Sequence, residues 1–166
     1  MFGPVYLTLL WSMTPLLELR ASIPLGHLRF GLSIYEATIL SILGSVLSAA
    51  LVLALLPFFV RFFERHIPLF DRIMKRIFAY THARHSHKLA VLGEIALITF
   101  VAVPLPGSGA WTGVLVAYLF GIPYRKAMLL VCTGVVISGI IVALLTLFGH
   151  EVWNMIFNEV VEVVAP

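Results

Sequence analysis

The sequence predicts an all-α membrane protein arranged as an inverted repeat. Each half is a re-entrant helical hairpin plus one transmembrane helix, and a basic amphipathic interfacial helix joins the halves. Three observations lead there. Of the 166 residues, 61% are hydrophobic and only 11% charged. Charge is missing from two stretches long enough to cross a bilayer. The two halves of the chain also repeat each other's helix breakers.

An ordinary soluble domain is nearer half apolar and a quarter charged. A globule of this length has too much surface for its volume to hide the excess, and the mean hydropathy is +1.05. This composition excludes intrinsic disorder, nucleic-acid binding and a secreted disulfide scaffold. The net charge of +3 reflects where Lys and Arg sit relative to the bilayer rather than an acidic partner. The single cysteine, Cys132, lies in an apolar run and has no partner for an intramolecular disulfide. The first ten residues lack a basic segment, so no cleaved signal is expected.

Residues 1–60 form the first repeat in a single integral membrane domain covering 1–166. Val5 to Leu17 is apolar; Glu18-Leu19-Arg20 and Ile23-Pro24-Leu25-Gly26 follow, and the stretch ends at Gly31. Neither arm is long enough to span alone, so a hairpin that re-enters is expected. Ala37 to Val60 is 24 residues without a charge, enough for a hydrocarbon core that needs about 20.

The linker 61–88 holds seven of the eleven Lys and Arg residues, which places it in the cytoplasm. Within it Leu69, Phe70, Ile73, Met74, Ile77 and Phe78 recur at helical spacing opposite Asp71, Arg72, Lys75 and Arg76. After Pro68 this pattern reads as a helix lying in the interface, with an ordinary solvated connector the alternative. His66, His82, His85 and His87 fall here without a carboxylate cluster, so no metal is expected.

The second repeat is 89–149. Ile95 to Tyr124 is 30 residues without charge, with Pro104, Pro106, Gly107 and Gly109 near its centre. One straight helix of that length would rise about 45 Å, too long for a core of about 30 Å, and the breakers interrupt it. Two half-helices meeting in a turn fit better, and non-helical backbone at that depth needs protein or a water-filled cavity around it. Ala127 to Gly149 is a second clean span of 23 residues. An acidic tail, 150–166, carries Glu151, Glu159 and Glu162.

The repeat itself is legible at an offset of 89, where Pro15-Leu16 matches Pro104-Leu105 and Ala21 matches Ala110. At an offset of 90, Gly31 matches Gly121, Ala37 matches Ala127, Gly44 matches Gly134, Val46 matches Val136 and Ser48 matches Ser138. With the linker cytoplasmic, the hairpins enter from opposite faces and their tips meet near the midplane. Repeats of this kind mark transporter folds whose sites lie at the repeat interface.

Glu18 and Arg20 are the first candidates for chemistry, because a charge near the bilayer centre costs about 2.5–3.5 kcal/mol on insertion scales. A carboxylate in a low-dielectric cavity suits proton carriage, and a guanidinium beside it suits a phosphate or carboxylate. The structural alternative is an ion pair that neutralises itself and braces the loop. The second candidate is the turn containing Pro104, Pro106, Gly107, Ser108, Gly109, Trp111 and Thr112. Its small residues are expected to leave backbone N–H groups free at a half-helix N-terminus, where anionic groups bind. The alternative is a tight turn that merely permits close packing. Pro24, beside the first turn, joins the candidate set.

Gly44/Ser48 and Gly134/Ser138 read as helix-packing pairs. Glu36 and Glu94 read as interface anchors, with a proton-relay station the alternative, and Arg29, Arg125 and Lys126 as headgroup-level residues, the last two also suited to recruit anionic lipid. No catalytic triad, metal-ligand spacing or nucleotide-binding loop occurs, so neither an enzyme nor a cofactor is expected.

The stretches Thr14-Pro15-Leu16-Leu17-Glu18-Leu19-Arg20-Ala21-Ser22-Ile23-Pro24 and Val103-Pro104-Leu105-Pro106-Gly107-Ser108-Gly109-Ala110-Trp111-Thr112-Gly113 resemble the two signature segments of the small multidrug export protein family of bacteria and archaea. The resemblance covers nearly the whole chain. That family in turn resembles the DedA (VTT-domain) superfamily, which implies two facing re-entrant hairpins. It also implies proton-coupled transport, undecaprenyl phosphate recycling or lipid scrambling. By this resemblance Glu18 matches a membrane-embedded acid and Arg20 its charged partner. The arginine pair of DedA proteins has no clear match, and Arg125 is only a loose candidate.

The expected protein is a multi-pass transporter of a prokaryotic inner membrane, with membrane lipids around it; the alternatives are an uncoupled lipid scramblase and a non-transporting membrane assembly factor. Protons and a small anionic or amphipathic substrate, such as a phosphorylated lipid carrier, are its expected partners. A homodimer is compatible with the small-residue helix faces.

Overall fold

The computed structural model describes residues 3–15, 18–66, 87–105 and 108–164. Every regular element among them is helical: α1 (Gly3–Ser12), α2 (Glu18–Pro24), α3 (Ile34–His66), α4 (His87–Ala102), α5 (Ala110–Leu119) and α6 (Tyr124–Val164). A π-helical turn, Leu25–Arg29, continues α2. The amphipathic pattern at Leu69–Phe78 lies outside the described residues.

Local chemistry sets the boundaries. Pro24 has no N–H to give the carbonyl of Arg20, and the chain leaves α2 through wider turns in which the Phe30 N–H reaches the Leu25 oxygen at 3.0 Å. Gly31 then adopts φ 70°, and Gly121, at the same place in the second half, adopts φ 65°. Positive φ at a helix end is where glycine is favoured. The start of α3 carries a reciprocal capping pair. The Ser33 N–H donates to Glu36 Oε2 at 2.9 Å, and the Glu36 N–H donates to Ser33 Oγ at 3.2 Å.

Among the described residues two segments are long and apolar enough to cross a membrane, Ile34–Phe62 within α3 and Tyr124–Gly149 within α6. The expected spans fall inside them. Both parent helices outrun the uncharged runs: α3 continues to His66 and α6 to Val164. Charge marks where lipid ends; it does not end a helix whose backbone bonds are satisfied internally.

The same packing scheme occurs in each half. The pair α1 and α2 packs on α3, and the pair α4 and α5 packs on α6. The pairs also cross over, α2 touching α6 and α5 touching α3, while α3 and α6 pack on each other. A Cβ on Gly44 would meet Ser12 and, at 3.0 Å, the Leu9 oxygen; one on Gly134 would meet Val101 at 2.6 Å and the Ile98 oxygen at 3.0 Å. Those two neighbour pairs are themselves 89 residues apart. Close approach at glycine is thus used at matching positions.

The core joins Leu19 and Ile23 of α2 to Ala49 and Leu53 of α3, Leu97 and Val101 of α4, Val114 of α5, and Val131 and Val135 of α6. The interior of the first half is hydroxylic, with Thr8, Ser12, Ser22, Ser41, Ser45 and Ser48 all buried. Ser22 Oγ donates to Ser41 Oγ at 2.6 Å, and Ser45 Oγ donates to the Ser12 oxygen at 3.2 Å. Val101, Val131 and Val135 follow Ser12, Ser41 and Ser45 by 89, 90 and 90 residues, and all three are buried.

Candidate functional site

Glu18 opens α2 with φ 44°, the one positive φ at a non-glycine residue among those described. Such backbone costs about 1–3 kcal/mol and persists only where its surroundings hold it. Its side chain is 4% exposed, and it is the only buried charged residue among those described. A carboxylate is tolerated in such a place when hydrogen bonds replace its water.

Those bonds come from the other half of the chain. Ala110 N–H donates to Glu18 Oε2 at 3.1 Å, and Trp111 N–H donates to Oε1 at 3.2 Å. They are the first two amides of α5, which have no partner within their own helix. They stand at the positive end of its dipole. The residue preceding them, Gly109, is in extended backbone (φ −170°, ψ −170°) and has no side chain with which to cap. Glu18 supplies the missing acceptor. A Cβ on Gly109 would lie 2.7 Å from the Glu18 carboxyl carbon, so glycine makes the room.

Arg20 does not pair with Glu18. Among the described residues the ion pair is Lys126 with Glu94, whereas Arg20 Nη2 donates to Ser108 Oγ at 3.4 Å. The two side chains make no direct ion-pair contact, although their charges are near enough to attract each other. Ser108 is buried and holds its own turn together. Its hydroxyl lies 2.7 Å from the Val103 oxygen, to which it donates, and accepts the Leu105 N–H at 3.2 Å.

The turn differs from expectation in one respect. The amides of Ser108 and Gly109 are not free: Ser108 N–H donates to the Leu105 oxygen at 3.1 Å, and Gly109 N–H to Thr112 Oγ1 at 2.9 Å. The anion-holding amides sit one and two residues further on, and Ala110 was not among the expected site residues. Its signal was its place directly after a glycine that cannot cap. Thr112 acts as the third-residue half of a capping box. The Trp111 indole Nε1 is buried with no hydrogen-bond partner among the described residues. Pro104 follows the end of α4, where it precludes a further helical N–H. Pro24 lies one turn from Arg20. Pro106 and Gly107 lie outside the described residues.

The structure thus brings Glu18, Arg20, Ser108, Gly109, Trp111 and Thr112 to one junction between the halves. Among the described residues no group of three His, Cys, Asp or Glu side chains gathers to hold a metal.

No curated protein and no solved structure matches the chain. The family model described as "Putative small multi-drug export protein" matches residues 18–141, about three-quarters of the sequence. It begins at the buried glutamate and takes in every residue of the junction. The chain therefore belongs to the small multi-drug export protein family, a family of membrane transport proteins by its description.

Proposed function

We propose that the chain is a proton-coupled transporter whose site lies between two re-entrant hairpins, at the junction of Glu18 with α5. Its substrate is a small anionic or amphipathic molecule, such as a phosphorylated lipid carrier. The observation that carries this reading is the buried Glu18 carboxylate, held by amides of the other half rather than by neighbouring Arg20. A titratable group that ties two halves together biases their arrangement when it takes up or releases a proton.

Several features support the inverted repeat. Helices α2 and α5 each touch both long helices, the glycine contacts at Gly44 and Gly134 correspond, and so do the turns at Gly31 and Gly121. Rocking of related halves about a shared site is how such repeats alternate access. Arg20 has donors to spare for an anion, since a guanidinium carries five and one is engaged by Ser108. The charge of the basic linker supports a cytoplasmic side for 61–88 in what we read as a prokaryotic inner membrane, and the DedA resemblance favours a lipid-phosphate substrate.

The test is reconstitution of the full chain in vesicles containing a short-chain polyprenyl phosphate, with and without a pH gradient. Gradient-driven flux is expected in the wild type and not in Glu18→Gln, with passive lipid exchange unchanged. Flux indifferent to both the gradient and Glu18 would replace this reading with an uncoupled lipid scramblase. Absence of all flux would favour a non-transporting membrane assembly factor.

A further inference from the structure

We propose that the proton reaches Glu18 through the first half of the chain alone, along a file of buried hydroxyls bridged by water: Thr8, then the Ser22–Ser41 pair, then the carboxylate. This deepens the reading above and rests on its claim that Glu18 takes up a proton.

The file follows from the register of the helices. Thr8, Ser22 and Ser41 are fully buried, and Ser22 Oγ donates to Ser41 Oγ at 2.6 Å. Ser22 follows Glu18 by one turn of α2, about 6 Å of rise. One turn beyond Ser22, a Cβ on Gly26 would lie 3.1 Å from Thr8 Oγ1 and 3.0 Å from the Ala37 Cβ. Ala37 is in turn one turn before Ser41 on α3. Thr8, the serine pair and the carboxylate therefore stand at successive turns. Ser41 lies seven residues after Ile34, where α3 begins, or about 10 Å along the helix. The file opens toward that end, away from the linker 61–88.

The serine pair has a hydrogen to give. Thr8, Ser12 and Ser48 each donate to a carbonyl three or four residues back on their own helix. Ser22 and Ser41 bond each other instead. Two O–H groups share one bond, so one hydrogen of this fully buried pair has no acceptor among the described residues. Water is the usual partner of such a group. Either hydroxyl can act as donor, so the pair can hold its shared hydrogen in both senses.

Packing alone does not call for hydroxyls here. Leu97, Trp111 and Val131 follow Thr8, Ser22 and Ser41 by 89, 89 and 90 residues, and Leu97 and Val131 are buried as deeply. The second half fills the corresponding positions with side chains that carry no hydroxyl. Nor does a charge lie in the file. Helices α1 and α5 contain none, Arg20 donates to Ser108, and His27 Nδ1 bonds the Leu32 oxygen. Arg29 and the described charges of α3 and α6, namely Glu36, Arg61, Arg65, Arg125 and Lys126, are exposed.

The transfer balances. A proton arriving beside Thr8 is passed along O–H bonds, each water or hydroxyl accepting one hydrogen and releasing another. Glu18 ends as the neutral acid. The hydroxyls keep their composition and are left reversed in orientation, and rotation restores them.

The test is a light-triggered downward pH jump on the full chain in lipid nanodiscs, followed by time-resolved infrared spectroscopy. The carboxylic acid band of Glu18 is assigned by its loss in Glu18→Gln. Ser22→Ala, Ser41→Ala and Thr8→Val are each expected to slow its rise about tenfold or more, the scale on which a positioned proton-transfer group acts, with the final amplitude unchanged. Ser22→Thr, which keeps a hydroxyl, is expected to stay near the wild-type rate. So is Ser48→Ala, which removes a buried hydroxyl outside the file. Should an alanine variant not fold, Ser22→Cys or Ser41→Cys, with a weaker donor and acceptor, is read in its place. Wild-type rates in the Ser22 and Ser41 variants overturn the proposal, as does equal slowing by Ser48→Ala; a wild-type rate in Thr8→Val overturns the entry side. In those cases the band itself persists and proton coupling at Glu18 stands. A wild type with no such band at any pH removes both the route and the coupled-transport reading.

Discussion

The Glu18 carboxyl group occupies the space that a side chain on Gly109 would fill, and so caps a helix from the opposite half of the chain. Glycine normally caps less well than Ser, Thr, Asn or Asp because it offers no side-chain acceptor. Here that absence admits an acceptor 91 residues away in sequence. The cap and the junction between halves are one interaction.

Gly109→Ala is expected to expel the carboxylate. The backbone at 109 is extended and tolerates alanine, so the effect is purely steric, about 1–3 kcal/mol of overpacking and lost capping. Thermal melting in detergent should show the destabilisation, and gradient-driven flux should fall with it. An unchanged melt and unchanged flux would mean that the carboxylate sits elsewhere.

At Gly31 and Gly121 the situation is reversed. Nothing lies within 4 Å of a Cβ at either position, but both have positive φ. Alanine at each is expected to cost about 1–2 kcal/mol through the backbone alone, with flux retained in the molecules that remain folded. Comparing melting temperature with activity per folded molecule separates the two.

Thr112→Val removes the hydroxyl that accepts the Gly109 N–H while keeping the shape. A loss of about 0.5–2 kcal/mol is expected, the range for removing a capping side chain, and Thr112→Ser should restore most of it. Chemical denaturation of the three forms is the measurement.

The matching glycine contacts give a paired prediction. Gly134→Ala is expected to destabilise by about 1–3 kcal/mol, and Val101→Ala to relieve part of that loss, because Val101 is the side chain met at 2.6 Å. Gly44→Ala with Ser12→Ala should behave alike. Coupling in each double-mutant cycle, and none between the two cycles, is the expected pattern.

Much of this was legible in the sequence. Gaps between charges located both long helices, and the two charges out of place, Glu18 and Arg20, pointed to the junction. Their partners were not legible. Adjacent opposite charges suggest an ion pair, yet the strained backbone at Glu18 and the packing of α2 beside α5 give its carboxylate two amides instead. The free amides expected at Ser108 and Gly109 are taken by the Leu105 oxygen and the Thr112 hydroxyl, because a turn satisfies its own donors first. The uncharged runs gave the spans and not the helix ends, since the helix holding Ala37–Val60 continues through Arg61 to His66.

The central claim is that Glu18 caps α5 across the halves and that its proton governs the cap. Amide resonances of isotopically labelled Ala110 and Trp111 in lipid nanodiscs test it most directly. In the wild type both amide protons are expected to move together through a single titration step as pH is varied, and in Glu18→Gln both should stay flat. Amides that ignore pH in the wild type, or that titrate equally in Glu18→Gln, would contradict the account.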